Sequence, residues 1–226
     1  MRSIANNQLC LRHGAHWFMN QRLFAPGFDH EKLLTRIEEE LDMPANATKP
    51  ARPHSEVFIN HYYVKYDDPY LPPAWMIGET LSLGAWSQIY ANLGAASDRK
   101  AIAAPFGYDE SILARWLHTL AYVRNLCAHH SRLWNRKLVI KAPIPRKHTL
   151  RIQTNSADRF YAVAVVSFDL LRAVEPATQW NHRLTALLAQ HAIVRHRLGE
   201  MGFPVPWKND PFWDLKSPDP DPACWI

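Results

Sequence analysis

Between Asp109 and Arg136 the apolar residues Leu113, Trp116, Leu117, Leu120 and Cys127 recur at intervals that only a helix turns to one side. Asp109 offers a side-chain acceptor to the free N–H groups of a first turn, so a helix is expected to start there and to reach at least Arg132. The same punctuation recurs along the chain. Leu71-Pro72-Pro73 opens a segment from Ala74 to about Leu93 that Gly94 closes, with a break expected at Gly84. Ser156 or Asp158 can start a further helix through Phe160, Val163, Val166, Phe168 and Leu171, ended by Glu175-Pro176, although its Val-rich middle also reads as a strand. Thr178 can cap a last helix that carries Leu184, Leu187, Leu188 and Ile193.

The first seventy residues are less regular. His30 to Leu41 reads as helix, whereas Met43 to Pro53, with three prolines, reads as a loop or linker. The basic, proline-containing stretch from Val139 to Gln153 is expected to form a connection, with a short hairpin as one form of it, and everything from Gly202 onward reads as an irregular tail. The sum is an all-α helical bundle: an N-terminal region at 1–54, a helical core at 55–200 and a C-terminal tail at 201–226. With 226 residues and 47% apolar content the chain can bury one real core.

Several function classes drop out. The 26 basic and 21 acidic residues leave a formal charge of +5, which favours an anionic partner but forms no block of like charge. Cys10, Cys127 and Cys224 are odd in number and contain no C-x-x-C, so neither a disulfide framework nor a zinc cluster is expected, and a reducing cytoplasm fits. Met1 to Leu11 lacks the long apolar stretch of a signal peptide, no membrane span is expected, and Cys224 is one place short of a prenylation box. His13, His16, His54, His61, His182, His191 and His196 are scattered without ligand spacing, and there is no Walker loop and no G-x-G-x-x-G. No metal and no cofactor is expected.

The polar run Arg124-Asn125-Leu126-Cys127-Ala128-His129-His130-Ser131-Arg132-Leu133-Trp134-Asn135-Arg136 stands out against this background. Arg presents a fixed fork of donors to a phosphate and His exchanges protons near neutral pH, so the pair suits phosphodiester chemistry without a metal. At about 100° per residue, Arg124 falls within about 20° of the Leu113 direction and is expected to face the core, where it needs a partner such as Glu79. His118, Asn125, His129 and Arg132 form a second row, roughly 100–160° away. Arg124 and His129 are about 140° apart on one ideal helix, so a shared site calls for a distorted helix, a long reach by Arg124, or a second subunit across a two-fold axis. The dimer is preferred.

The pattern Arg124-Asn125-x-x-x-His129 resembles the R-N-x-x-x-H signature of HEPN ribonucleases, and the full run resembles the hallmark of the Abi-like (abortive infection, AbiD/AbiF type) family. Leu71-Pro72-Pro73-Ala74-Trp75-Met76, with Glu79, Leu83-Gly84 and Tyr90, is similar to the family's Pro-Pro-x-Trp helix. Met201-Gly202-Phe203-Pro204 with Trp207 is similar to its C-terminal end, and His13-Gly14-Ala15-His16-Trp17 to a segment usually well inside the family sequence. The resemblance covers nearly the whole chain, with roughly the N-terminal third of a typical member expected to be missing.

The resemblance implies a HEPN-like bundle acting as a metal-independent endoribonuclease, a toxin or phage-defence effector in the cytoplasm. Arg124 would hold the scissile phosphate, His129 would act as general acid or base, and Asn125 would orient either. The attacking group would be the RNA's own 2′-hydroxyl. His130, Arg132, His118, Arg136 and Glu79 would be RNA contacts or supporting residues, while Trp134 to Arg136 read rather as the frame of the helix end. The implied partners are an RNA substrate, a second copy of the chain and an antitoxin RNA or protein. Two alternatives stand beside this: a non-catalytic HEPN module binding RNA or a partner protein, and a structural helix with Arg124 neutralised by an internal carboxylate.

Overall fold

The computed structural model describes residues 1–190 and 196–214. Among these residues there are nine α-helices and no strand, so the chain is all-α. Its packing divides it into two compact units, Met1–Ala104 and Pro105–Ile226.

The first unit holds α1 (Arg2–His13), α2 (His30–Glu40), α3 (Val57–Lys65), α4 (Ala74–Thr80), α5 (Leu83–Ala91) and α6 (Ala96–Ala103). The polar α1 has no side-chain cap at its start; it is held by packing on α4 and α6 rather than by a local signal. Asp98 of α6, only 3% exposed, accepts from Arg12 at 2.9 Å and pairs with His13 at 2.8 Å at the end of α1. The long helix expected from Ala74 is two helices. It breaks at Leu81-Ser82 rather than at Gly84, because the Ser82 hydroxyl accepts from the Ala85 N–H at 3.2 Å and starts α5.

At Gly78 side chains from α1 and α5 both press on α4. Asn6 Nδ2 donates to the Ala74 carbonyl at 2.9 Å and Trp86 Nε1 donates to the Gly78 carbonyl at 3.0 Å. A Cβ at Gly78 would lie 2.9 Å from the Trp86 ring and would collide with Asn6.

The second unit holds α7 (Glu110–Ala128), α8 (Phe160–Val174) and α9 (Trp180–Ala189). Asp109 caps α7 as expected, accepting from the Ser111 N–H at 2.9 Å. The Val-rich middle of α8 is helical: Tyr161 to Val166 are all buried, a continuous run that the α7 contact and the aromatic C-terminal segment cover from several sides. α8 starts after Arg159, beyond a separate 3-10 turn at Thr154–Ser156, and α9 starts after Gln179, not Thr178. Ile193 lies outside the described residues. The stretch from Val139 to Gln153 forms no hairpin; Pro143 and Pro145 have no N–H to give to a ladder, and the segment instead carries a 3-10 turn at Arg146–His148. Residues 201–214 are irregular but packed, since Trp213 is fully buried and stacks on Phe168 with ring centroids 5.5 Å apart.

Asp169 joins these parts. Its carboxylate accepts from Tyr108 at 2.7 Å, Lys147 at 2.6 Å, His148 at 3.2 Å and Arg172 at 3.3 Å. The Arg151 guanidinium lies 2.8 Å from His148 Nδ1 and can only donate, so the His148 proton sits on Nε2 and points to Asp169. Burial alone would raise the Asp169 carboxyl, but the donors from His148, Lys147 and Tyr108 outweigh it and hold the group well below the usual carboxylate range.

Two predictions follow from this packing. Gly78→Ala should destabilise the chain by about 1–3 kcal/mol in urea unfolding followed by tryptophan fluorescence. Asp169→Asn should cost roughly 1–3 kcal/mol at neutral pH. Because the folded pKa of Asp169 is depressed, its contribution is complete above the unfolded value of about 4 and is lost as pH falls toward the folded one. The variant's unfolding midpoint should therefore fall less steeply than the wild type's below about pH 4.

Candidate functional site

The inner face of α7 carries Leu113, Trp116, Leu117, Ala121 and Val123, all buried, and the burial ends at Val123. Beyond it Arg124, Asn125, Cys127, Ala128, His129 and His130 are exposed. Arg124 therefore does not face the core, although its angle on the helix is that of Leu113. The last turns of α7 outrun the side chains that cover the earlier ones, and angle alone does not report where the cover stops. Cys127, expected on the same stripe, is exposed for the same reason.

Arg124 Nη1 donates to Asn125 Oδ1 at 3.3 Å, and no carboxylate pairs with it among the described residues. Glu79, expected as its partner, forms an ion pair with Arg2 at 3.5 Å. The structural alternative, which needs a neutralised Arg124, loses its main support.

α7 stops at Ala128, short of the expected Arg132, and His129 is its C-cap. The Ser131 N–H reaches back to the Leu126 carbonyl at 2.8 Å and the His130 N–H to the Cys127 carbonyl at 3.0 Å, the two bonds of a Schellman ending. His130 occupies the left-handed position of that motif, with φ of 52°, where glycine is the usual residue. The ending satisfies the Asn125, Leu126 and Cys127 carbonyls with backbone donors. It leaves both imidazoles in solvent at the end of the helix.

The remaining expected residues fall into two groups. His118 and Arg132 are exposed, the first two turns back along α7 and the second just past its end. Arg136 is half-buried and donates to the Arg132 carbonyl at 3.1 Å. Asn135, also left-handed with φ of 47°, accepts from Arg159 at 2.8 Å, and the same Arg159 nitrogen donates to the Glu200 carbonyl at 3.1 Å. Trp134, half-buried, sits between these anchored residues. The end of the run is thus a frame that ties the exit of α7 to the region of Met201, while its beginning presents Arg, Asn and His to solvent.

No group of three or more His, Cys, Asp or Glu side chains comes together to hold a metal among the described residues, and no helix there is long and apolar enough to cross a membrane.

A family model described as Abi-like protein matches residues 1–135. The chain belongs to the Abi-like protein family. The matched part of this Abi-like chain spans α1 to α7 and takes in the polar run as far as Asn135. Neither the curated proteins nor the solved structures contain a match to it.

Sequence reasoning missed the Tyr108, His148 and Asp169 cluster of this Abi-like protein. Tyr108 and His148 are 40 residues apart and His148 and Asp169 are 21 apart, so no local pattern announces them.

The left-handed His130 gives a direct test. His130→Gly should relieve a backbone cost of about 1–2 kcal/mol, partly offset by the greater freedom of glycine in the unfolded chain. The expected outcome is an unchanged or higher urea midpoint. His130→Val, β-branched at the same position, should lower it.

Proposed function

We propose that this Abi-like protein is a metal-independent endoribonuclease of a phage-defence system, acting in the cytoplasm on host or phage RNA through the end of α7. The observation that carries the reading is the exposure of Arg124, Asn125 and His129 together, with no carboxylate pairing the arginine among the described residues. An exposed Arg held on its neighbour's amide is ready to exchange that contact for a phosphate, which it grips with two parallel bonds.

In this mechanism the RNA's 2′-hydroxyl attacks the adjacent phosphorus. The P–O5′ bond breaks, a 2′,3′-cyclic phosphate forms and the 5′-oxygen leaves with a proton. Arg124 stabilises the charge that develops on the non-bridging oxygens, and His129 accepts the 2′-proton or delivers the leaving-group proton. Asn125 orients Arg124, to which it is bonded. His130 and Arg132 bind flanking phosphates, with His118 and Arg136 further out. Arg124 and His129 point apart by about 140° on α7, so the complete site is composed by two copies of the chain, each supplying one of the two roles. An antitoxin RNA or protein would act by covering this end of the helix.

Purified protein should cleave RNA and not DNA in the presence of EDTA, leaving 2′,3′-cyclic ends. Arg124→Ala and His129→Ala should each lower the rate by about 100-fold or more while thermal unfolding stays unchanged. Mixing the two inactive variants should restore part of the activity if the site is shared between subunits. EDTA-sensitive cleavage, or full activity in His129→Ala, would overturn the mechanism, and tight RNA binding with no cleavage would point to a non-catalytic module.

A further inference from the structure

A cleft of about 370 Å³ opens between α2 and α5 in the first unit. That volume falls in the usual range for small-ligand sites, and its make-up is the usual one, an apolar floor with a few polar groups at the rim. Leu33, Ala85 and Ile89 form the floor. Phe28 closes one end; it is half-buried and stacks on Phe24 at 5.0 Å, which backs the ring from within the core. The wall that carries it is tied down, since the Ala25 N–H donates to the Asn92 carbonyl at 2.8 Å and the Gly94 N–H to the Leu23 carbonyl at 2.8 Å.

The rim is polar in a specific way. Lys32 and Arg36 stand one turn apart on α2, and neither forms an ion pair among the described residues. Arg36 donates one nitrogen to Ser82 Oγ at 3.1 Å and keeps its other donors free. Across the cleft the Gln88 side chain is exposed and Asn92 uses only its Nδ2, donating to the Gln88 carbonyl at 2.8 Å. Asp29, also on the rim, has one carboxylate oxygen committed to the Lys32 N–H at 2.9 Å as the cap of α2. The cleft thus offers an aromatic edge over an apolar floor, two unpaired cations on one side and free amide groups on the other.

We propose that this cleft binds one nucleotide unit: the phosphate between Lys32 and Arg36, the base over the floor beside Phe28, and the base edge on Gln88 and Asn92. Cations alone would select any anion, and the floor alone any apolar group. The combination selects a ligand that is flat and aromatic at one end and a phosphate at the other. The free amides, which both donate and accept, suit the mixed edge of a base. The site does not contain Arg124 or His129 and does not depend on the ribonuclease reading. Its ligand is either a free nucleotide or a nucleotide within an RNA strand.

The test is calorimetric titration of the full chain carrying Arg124→Ala and His129→Ala, so that RNA is not cut, with the four nucleoside monophosphates, a five-nucleotide single-stranded RNA and inorganic phosphate. Saturable binding of a monophosphate, weakened about tenfold or more by Arg36→Ala and by Lys32→Ala, supports a free-nucleotide site. Binding of the oligonucleotide alone, with the same loss in both variants, supports an RNA subsite. Phe28→Leu, which keeps an apolar side chain but removes the ring, should weaken the nucleotide while lowering the unfolding midpoint only by the lost stack on Phe24. The proposal is overturned if neither ligand binds, if the Lys32 and Arg36 variants bind as well as the parent, or if inorganic phosphate competes as strongly as the nucleotide.

Discussion

A carboxylate removed from water has to be met by donors, and in the second unit the donors that meet Asp169 come from every part that must be assembled. Tyr108 stands immediately before α7, Lys147 and His148 lie on the 3-10 turn of the long connection, and Arg172 lies on α8 itself. Arg151 extends the set to Asp210 at 2.8 Å, beside the buried Phe212 and Trp213. An unmet Asp169 would be costly, so these segments are bound to one arrangement, and α7 is fixed at its start against α8. The far end of α7, which carries Arg124 and His129, projects from that anchored base.

Asp98 plays a similar part in the first unit, where it takes Arg12 and His13 from the end of α1. Arg12 and His13 lie in the last turn of α1, where positive charge also suits the helix end. The polar helix α1 can thus sit in a largely apolar unit without a cap of its own. Gly78 then sets how closely α1 and α5 approach α4. The cleft between α2 and α5 is built on the same frame, since Ile89 of its floor also lines the interior space beside Trp17 and Trp86.

The chemistry of the two candidate regions differs in how each treats charge. Inside the units, carboxylates are surrounded and their hydrogen-bonding capacity is used. At the end of α7 and along the rim of the cleft, Arg124, Lys32 and Arg36 are left without carboxylate partners among the described residues. In a chain with a modest excess of basic residues, cations without ion pairs, beside imidazoles or beside an apolar floor, are places where an anion can be accepted without first breaking a salt bridge.

The sequence by itself determined the helical class, the Asp109 start of α7, the helix from His30 and the Abi-like motif, because caps and periodicity act over a few residues. It also contained the distinction between Arg124 to His129 and the Asn135 frame, since residue type limits what each can do. Tertiary structure decided the rest. Helical angle put Arg124 on the core side, but only the three-dimensional packing shows that the cover ends at Val123 and that Glu79 is engaged by Arg2. The helical state of the Val-rich α8 and the convergence on Asp169 depend on partners tens of residues away, and the cleft exists only because α2 and α5 are brought side by side. Long-range contacts carry no local signature, which is why these features were legible only in the folded chain.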